Sequence, residues 1–363
     1  MKTALLYRAL VTLLFIPVLA MGNNTTLKVK HSKEKIIKKQ YSVNADATLK
    51  IDNSYGNIDI VTWDENRVEI EVTITTDSNN EEKAQKRLDD ITVEFEASAS
   101  LVSAKTKFGN TKSNSWWNWG KKNNVSIKVN YVIKMPITNN VDLANDYGGI
   151  NLDKLEGRAN IDCDYGKVTT KELMADNNTI NFDYTNKSYF EYIKSGKINA
   201  DYSTYTVGKA KRLDINSDYT NSTIEIAEDI NYNCDYGNMT IDKVNNVAGN
   251  GDYLTARIGD VYKTANVKAS YGSLKIEAIQ ENASNVSIKT TYVGVKVGYD
   301  PAHNFNFDID LQYASLRDHD GLEITKEHEK SSKKSYSGYY GNANSGSSIN
   351  ITSTYGNVSL YKN

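Results

Sequence analysis

The sequence predicts an all-β protein: a single-stranded parallel β-solenoid, similar to a β-helix, with coils of about 17–21 residues and a β-rich N-terminal cap containing one short helix. Three observations predict this fold class. A short tyrosine-centred motif recurs along the chain, and apolar and polar residues alternate on both sides of it. The composition, with 3 prolines and 25 tyrosines in 363 residues, favours long uninterrupted sheet.

The charge balance narrows the choice of partners. Lys and Arg total 43 and Asp and Glu total 45, so the formal net charge is −2. This balance does not indicate a nucleic-acid partner. The hydrophobic fraction of 39% suits a thin fold with a narrow core and much polar surface.

The first residues have the pattern of an export signal. Lys2 and Arg8 provide a basic start, and the apolar run 9–20 is too short to span a membrane once a peptidase has cut after it. We therefore expect a signal peptide at 1–22, no transmembrane segment after cleavage, and an exported protein of the periplasm or cell surface. An uncleaved N-terminal anchor is the alternative. Residues 23–40 are basic and predict a flexible leader.

Residues 41–140 predict the β-rich N-terminal cap. They contain an early copy of the motif at Tyr55, two longer alternating segments at 67–76 and 91–99, and a run of helix formers after Asn80, a residue type that caps helices. Natural proteins cover the open ends of sheets, so we expect this region to close the first coil.

Residues 141–363 predict the stacked coils. The central tyrosines of the motif, which we interpret as a structural repeat, are Tyr147, Tyr165, Tyr184, Tyr202, Tyr219, Tyr236, Tyr253, Tyr271, Tyr292, Tyr313 and Tyr355. Residues an even number of positions before each tyrosine are apolar, whereas after it the residues an odd number of positions away are apolar. This change of phase indicates two strands joined by a turn. Residues 318–348 are polar and predict a loop inserted between the last two coils.

The turn at each tyrosine has a predicted geometry. The following glycine is the residue type that permits a positive φ. Each tyrosine has the parity of the apolar residues two and four positions before it, so we expect its side chain to point toward the core and its ring to stack at the strand spacing. An antiparallel sandwich is the rival fold. It would need tight hairpin turns, whereas the same residue types recur here at the same offset, which favours parallel stacking.

The recurrent Asp-Tyr-Gly and Ser-Tyr-Gly steps, the strand-rich leader and the coils flanked by Val and Ile resemble the bacterial "putative adhesin" β-strand-repeat family, also known as a domain of unknown function. The resemblance covers the chain from roughly Thr48 to the end. It implies export, a β-solenoid and no known enzyme activity. It carries over no catalytic residues.

Groups that could perform chemistry are dispersed. The histidines are His31, His303, His319 and His328. None belongs to a metalloprotease motif, and no glycine-rich phosphate loop is present in the sequence. His319, between two aspartates, is either a metal ligand or a solvated loop residue. Cys163 and Cys234 hold the same motif position four coils apart, which is about 19 Å at one strand spacing per coil. That distance is too long for a disulfide, so we expect two free, inward-facing thiols.

Two series of polar residues recur at fixed positions before the tyrosines, and we call them the aspartate file and the asparagine file. An aspartate precedes seven of the tyrosines, at Asp146, Asp164, Asp183, Asp201, Asp218, Asp235 and Asp252. Either each carboxylate bonds turn amides and faces solvent, or cations such as Ca²⁺ bind between coils at the candidate metal ligands Asp164, Asp183, Asp201, Asp218 and Asp235. No other cofactor is expected. The asparagines are Asn181, Asn199, Asn216, Asn233 and Asn250. We expect them to hydrogen-bond from coil to coil, with glycan contact as the alternative.

The remaining candidate site is aromatic. Trp116, Trp117 and Trp119 stand in a polar stretch, where they either bind a partner or fold back over the end of the core. Three classes of function stay open. The first is an adhesin or scaffold that presents a repetitive surface to a glycan, an envelope polymer or a protein. The second is a β-helix polysaccharide lyase or hydrolase, which would need Arg or Lys facing the aspartates. The third is an envelope-stress or signalling accessory. The carboxylates form a file and not a cleft, so we predict the non-catalytic first class.

Overall fold

The computed structural model describes residues 30–109 and 125–363. The described residues form one helix and 24 strands that join in one long, open, mostly parallel sheet, so the all-β class is confirmed. The expected signal peptide at 1–22 and the tryptophans Trp116, Trp117 and Trp119 lie outside these residues.

The N-terminal region contains the helix and seven strands. They are β1 (His31–Ser42), β2 (Thr48–Ser54), β3 (Ile58–Trp63), β4 (Arg67–Ser78), α1 (Glu81–Asp89), β5 (Ile91–Ala97), β6 (Leu101–Phe108) and β7 (Val125–Pro136). β1, β4 and β7 pair antiparallel in that order, and β7 then runs parallel to β3. β5 pairs antiparallel with β6, which runs parallel to β2.

The repeats supply the other strands of the sheet. They are β8 (Asn140–Asp146), β9 (Gly149–Leu152), β10 (Ala159–Asp164), β11 (Lys167–Leu173), β12 (Asn178–Asp183), β13 (Ser188–Asp201), β14 (Thr204–Asp218), β15 (Asn221–Asp235), β16 (Gly237–Asp252), β17 (Leu254–Ile279), β18 (Asn285–Tyr299), β19 (Phe305–Gln312), β20 (Leu316–Arg317), β21 (Glu323–Lys330), β22 (Lys333–Tyr340), β23 (Ser348–Thr354) and β24 (Val358–Lys362).

From Tyr147 to Tyr292 consecutive repeats pair in parallel and keep the tyrosine motifs in register, with local shifts only at Val244/Asn246 and Ile276/Ile279. For example, β14 pairs with β15 along its length, from Thr204 opposite Asn221 to Asp218 opposite Asp235. The Tyr55 repeat obeys the same rule, since β2 pairs with β8 and β3 with β9 although β4 to β7 intervene in the chain. The predicted parallel stacking is therefore confirmed, and the rival antiparallel arrangement is wrong for these repeats.

The core lies between the two strand segments of each repeat. Residues four before the tyrosine, such as Ile161, Ile180 and Ile198, are fully buried, as are Val295 and Val297 after Tyr292. Residues of the same offset stack on one another, so each repeat buries its apolar face against its neighbours. The apolar alternation predicted this core correctly.

The N-terminal cap combines strand and helix as expected, with one correction. α1 begins after Asn80, whose side-chain oxygen accepts a hydrogen bond of 2.9 Å from the Lys83 amide, and its Ala84 and Leu88 are buried. The expected flexible leader is wrong for residues 31–40, because they belong to β1 and pair along their length with β4. β1 carries several lysines, which suit an exposed sheet edge.

The C-terminal end departs from chain order. β18 pairs with β23 and β24, and these pair with β19 and β20. The Tyr355 repeat therefore lies between the repeats of Tyr292 and Tyr313. The loop expected at 318–348 is also wrong, because β21 and β22 form an antiparallel hairpin there and β22 pairs antiparallel with β19. The hairpin ends the sheet with a charged strand, β21.

Candidate functional site

The tyrosines of the repeats form one continuous stack, here called the tyrosine ridge. Among the described residues it contains, in spatial order, Tyr55, Tyr147, Tyr165, Tyr184, Tyr202, Tyr219, Tyr236, Tyr253, Tyr271, Tyr292, Tyr355 and Tyr313. Neighbouring ring centroids are 4.6–5.3 Å apart and neighbouring planes differ by 1–8°. At one strand spacing per step the ridge is roughly 50 Å long.

The backbone of every ridge tyrosine is left-handed. Their φ angles run from 51° to 64°, a region that costs a residue with a side chain about 1–2 kcal/mol. The expectation that the following glycine takes the positive φ is wrong. Gly166, for example, is needed for close approach, because a Cβ atom there would overlap the carbonyl oxygen of Gly148 in the neighbouring repeat.

The ridge faces solvent. Apart from Tyr55, which the edge of the Phe108 ring covers, the ridge tyrosines are 44–56% exposed. The expectation that they point toward the core is therefore wrong. Strand alternation assigns a side chain to a face only while the backbone stays extended, and the left-handed residue at the corner turns its side chain outward. The predicted stacking of the rings at the strand spacing is correct.

The stacking decides which atoms a ligand can reach. Each inner ring has both faces covered by its neighbours, so ring edges and hydroxyl groups remain accessible. Partial burial raises the pKa of Tyr165, Tyr202 and Tyr236, and the adjacent tyrosines and aspartates raise it further. The ridge presents a row of phenolic hydroxyl groups, which can donate and accept hydrogen bonds.

The aspartate file runs beside the ridge and ties the repeats together. The amide of Asp201 donates to Oδ1 of Asp183 at 3.0 Å, and the amide of Asp218 donates to Oδ1 of Asp201 at 3.0 Å. Asp164 and Asp235 accept in the same way from the amides of Asp183 and Asp252. These four carboxylates thus bond the next repeat, where the sequence offered bonding to the amides of their own turns. Burial, followed by repulsion from the neighbouring aspartates, raises the pKa of Asp183 and Asp218.

The asparagine file lies on the same face, two residues further from the ridge. The amide nitrogen of Asn199 donates to Oδ1 of Asn181 at 2.6 Å, and that of Asn250 donates to Oδ1 of Asn233 at 2.8 Å. The expected hydrogen bonding from repeat to repeat is therefore present. Asp162, which the sequence analysis did not predict, occupies the Asn181 position one repeat earlier. It lies three residues before Tyr165, as Asn181 lies three before Tyr184, and this spacing could have identified it.

A polar groove of about 510 Å³ lies along the two files. Its lining residues are Asp162, Asp164, Asn181, Phe182, Asp183, Asn199, Ala200, Asp201, Asn216, Ser217, Asp218 and Asn233. These described residues include no lysine or arginine. Within residues 30–109 and 125–363 no group of three or more His, Cys, Asp or Glu side chains is arranged to hold a metal ion.

The histidines and cysteines lie apart from the ridge. His303 is buried, with Nδ1 3.0 Å from the carbonyl oxygen of Glu281, while His319 is half-buried near the C-terminal hairpin. Cys163 and Cys234 are free and buried, as predicted. The described part of the chain has no helix with the length and apolar character needed to span a membrane.

Comparison with known proteins returns structural likeness at low identity. No family model and no curated protein matches the chain. A "putative adhesin" from Parabacteroides merdae ATCC 43184 is 12% identical, with 90% of this chain and 96% of that chain covered and a TM-score of 0.34. One from Parabacteroides distasonis ATCC 8503 is 11% identical, with 90% and 97% covered and a TM-score of 0.32. A "putative cell adhesion protein" from Clostridium sporogenes ATCC 15579 is 12% identical, with 91% and 100% covered and a TM-score of 0.17. TM-scores this low carry no argument about function.

Proposed function

We propose that this chain is a non-catalytic β-solenoid of the bacterial cell envelope, an adhesin or scaffold that binds an extended glycan, envelope polymer or protein along its tyrosine ridge. The parallel, in-register pairing of successive repeats supports the solenoid. Export rests on the signal pattern of residues 1–22.

One observation carries the binding role: the exposed, unbroken stack of ridge tyrosines. A corner in the left-handed region suits Gly or Asn far better than Tyr. The chain nevertheless places a large aromatic ring at this corner in repeat after repeat, and every ridge tyrosine except Tyr55 is about half exposed. Exposed aromatic surface of this extent is typical of interaction sites.

The spacing favours a linear partner that lies along the stack. Five consecutive repeats offer the same three groups in a row: a tyrosine hydroxyl and ring edge, an aspartate carboxylate and an asparagine amide. They are the repeats of Tyr184, Tyr202, Tyr219, Tyr236 and Tyr253. A partner that is itself repetitive can form the same hydrogen bonds at successive repeats, and many weak contacts then add up to useful affinity.

The groove composition argues against the lyase or hydrolase class. Those reactions need an acid and a base that converge on one bond, with a cationic group or a second carboxyl group of distinct pKa. The lining of the groove instead repeats Asp and Asn at one spacing, and its described residues lack Lys and Arg.

Binding to cell-envelope polymers tests the proposal. Purified full-length protein is incubated with insoluble peptidoglycan and with an array of defined bacterial glycans, and bound protein is quantified. The ridge variant Tyr219→Ala/Tyr236→Ala should bind the best ligand at least about tenfold more weakly, since two central contacts are lost.

The matched control is Tyr189→Ala/Tyr262→Ala, which removes two exposed tyrosines outside the ridge. It should bind within about twofold of the parent protein. An equal loss of binding in the ridge variant and the control variant would contradict the proposed function. Shortening of the polymer during incubation would also contradict it.

A further inference from the structure

We propose that the tyrosine ridge is also a site of oxidative modification, at which neighbouring rings of one chain couple to dityrosine when a haem peroxidase and hydrogen peroxide supply the oxidant. This coupling needs no binding partner. It therefore stands or falls separately from the adhesin or scaffold role.

The geometry brings the reacting groups together. The rings of Tyr202 and Tyr219 have centroids 4.9 Å apart and planes 2° apart, and those of Tyr219 and Tyr236 are 4.9 Å and 4° apart. Neighbouring phenols are thus held at contact distance by the strand register, so the second-order encounter that normally limits coupling becomes intramolecular.

The exposure makes the reacting carbons accessible. About half of the surface of each of these rings is in water, and what is exposed is the ring edge and the hydroxyl group, because the faces are covered. The ortho carbons of a phenol lie on that edge, beside the hydroxyl. An oxidant or a short-lived peroxidase mediator can therefore reach them without local unfolding.

The chemistry balances with the named oxidant. Each of two tyrosines loses one electron and one proton and becomes a phenoxyl radical. The two radicals form a carbon–carbon bond between ortho positions, and the hydrogen on each coupled carbon moves to its phenolic oxygen, which restores both hydroxyl groups. Hydrogen peroxide accepts the two electrons and two protons and becomes two molecules of water.

The stack also sets which tyrosines couple. A radical formed on an inner ring such as Tyr219 has two neighbouring phenols at contact distance, whereas the exposed tyrosines Tyr189 and Tyr262 lie outside the ridge. We therefore expect cross-links between consecutive ridge positions of one chain. Cross-links between chains should be a minor product in dilute solution.

Peroxidase treatment of the dilute protein tests this. Horseradish peroxidase and limiting hydrogen peroxide are added, dityrosine is followed by its fluorescence, and tryptic peptides are mapped by mass spectrometry. Tyr202 and Tyr219 are separated by Lys209, Lys211 and Arg212, so their coupling appears as two tryptic peptides joined with the loss of two hydrogen atoms. We expect this link in monomeric protein.

The matched variant is Tyr165→Phe/Tyr202→Phe/Tyr236→Phe/Tyr271→Phe. It keeps the stack of rings but leaves the phenols between Tyr147 and Tyr292 about 10 Å apart, at two strand spacings. Thermal melting confirms that it folds. The cross-link yield from this central part should fall at least tenfold. An unchanged yield, or parent cross-links that mainly join separate chains or involve Tyr189 and Tyr262, would overturn the proposal.

Discussion

A Cβ atom placed on Gly249 would overlap the ring of Tyr232, its partner in the adjacent repeat. Both residues stand four positions before a ridge tyrosine, where other repeats carry Ile198, Ile215 or Val267. Tyr232 is almost fully buried, so its ring occupies the core volume of two repeats and Gly249 leaves the second volume free.

Replacing these two residues together should be far less harmful than replacing either one. Gly249→Val inserts atoms into a filled core and should cost about 1–3 kcal/mol, and Tyr232→Ile leaves a cavity and should cost a similar amount. The double variant restores the pattern of the other repeats. We expect it to lie close to the parent protein in urea unfolding. Losses that simply add would contradict the shared volume.

The ridge tyrosines should contribute less stability than the core residues beside them. Tyr219→Ala removes a half-exposed ring and its two stacking contacts, about 1–2 kcal/mol, whereas Ile215→Ala empties the core and should cost about 2–5 kcal/mol. Because Tyr219 has a positive φ, Tyr219→Gly should be no worse than Tyr219→Ala. Urea unfolding midpoints, compared where the slopes are equal, measure these differences in stability. A Tyr219→Gly variant that is less stable than Tyr219→Ala by about 1 kcal/mol would contradict the left-handed backbone at this corner.

Removing charge from the aspartate file should stabilise the protein at neutral pH. The pKa values of Asp183 and Asp218 are raised in the folded state, so both carboxyl groups bind protons more tightly when the protein is folded. Their contribution to folding stability is therefore full below about pH 3.8 and is lost as the pH rises through the raised pKa values. Asp183→Asn and Asp218→Asn keep an oxygen that accepts the neighbouring amide. Each should gain on the order of 0.5 kcal/mol at pH 7 and low salt.

Two conditions check that gain. It should vanish below pH 3.8, where the parent carboxylates are protonated, and shrink in 1 M salt, which screens the repulsion. A loss of stability at every pH would mean that the charge strengthens the amide hydrogen bond by more than the repulsion costs.

Calcium should leave the folded protein unchanged. The aspartate oxygens already accept amides of the next repeat, such as Asp252 to Asp235 at 2.8 Å. We expect the melting temperature with 5 mM EDTA and with millimolar Ca²⁺ to agree within about 1 °C, because a ligand of the folded state alone must raise it. A rise of several degrees with Ca²⁺ would establish the alternative, cations bound between repeats.

The thiols should be inert in the folded protein. Burial raises the pKa of Cys163 to about 12 and that of Cys234 to about 11, and the Ser217 hydroxyl donates to the Cys234 sulfur at 3.0 Å. Because the thiolate is the reactive form, iodoacetamide at pH 8 should label neither cysteine in the native state and both in urea. Rapid native labelling, or a Cys163–Cys234 disulfide, would contradict the observed register.

Much of the fold could be predicted because its signals are local and repeated. The apolar positions around each tyrosine predicted which residues are buried, and a run of helix-forming residues after Asn80, a capping residue type, predicted α1. The wide separation of Cys163 and Cys234 followed from the count of repeats between them. Each of these features depends on short-range geometry or on simple stacking.

The sequence by itself determined the repeat, its strands, its core and the equal spacing of the polar files, because a period of two within a strand and one offset per repeat are enough to specify them. The tertiary structure alone decided the direction of the ridge tyrosines, since the left-handed backbone at each of them turns the side chain out of the alternation of the strand. It alone also placed Tyr355 between Tyr292 and Tyr313. Chain order cannot reveal that exchange, because any strand with the same alternation can pair at the open edge of a parallel sheet.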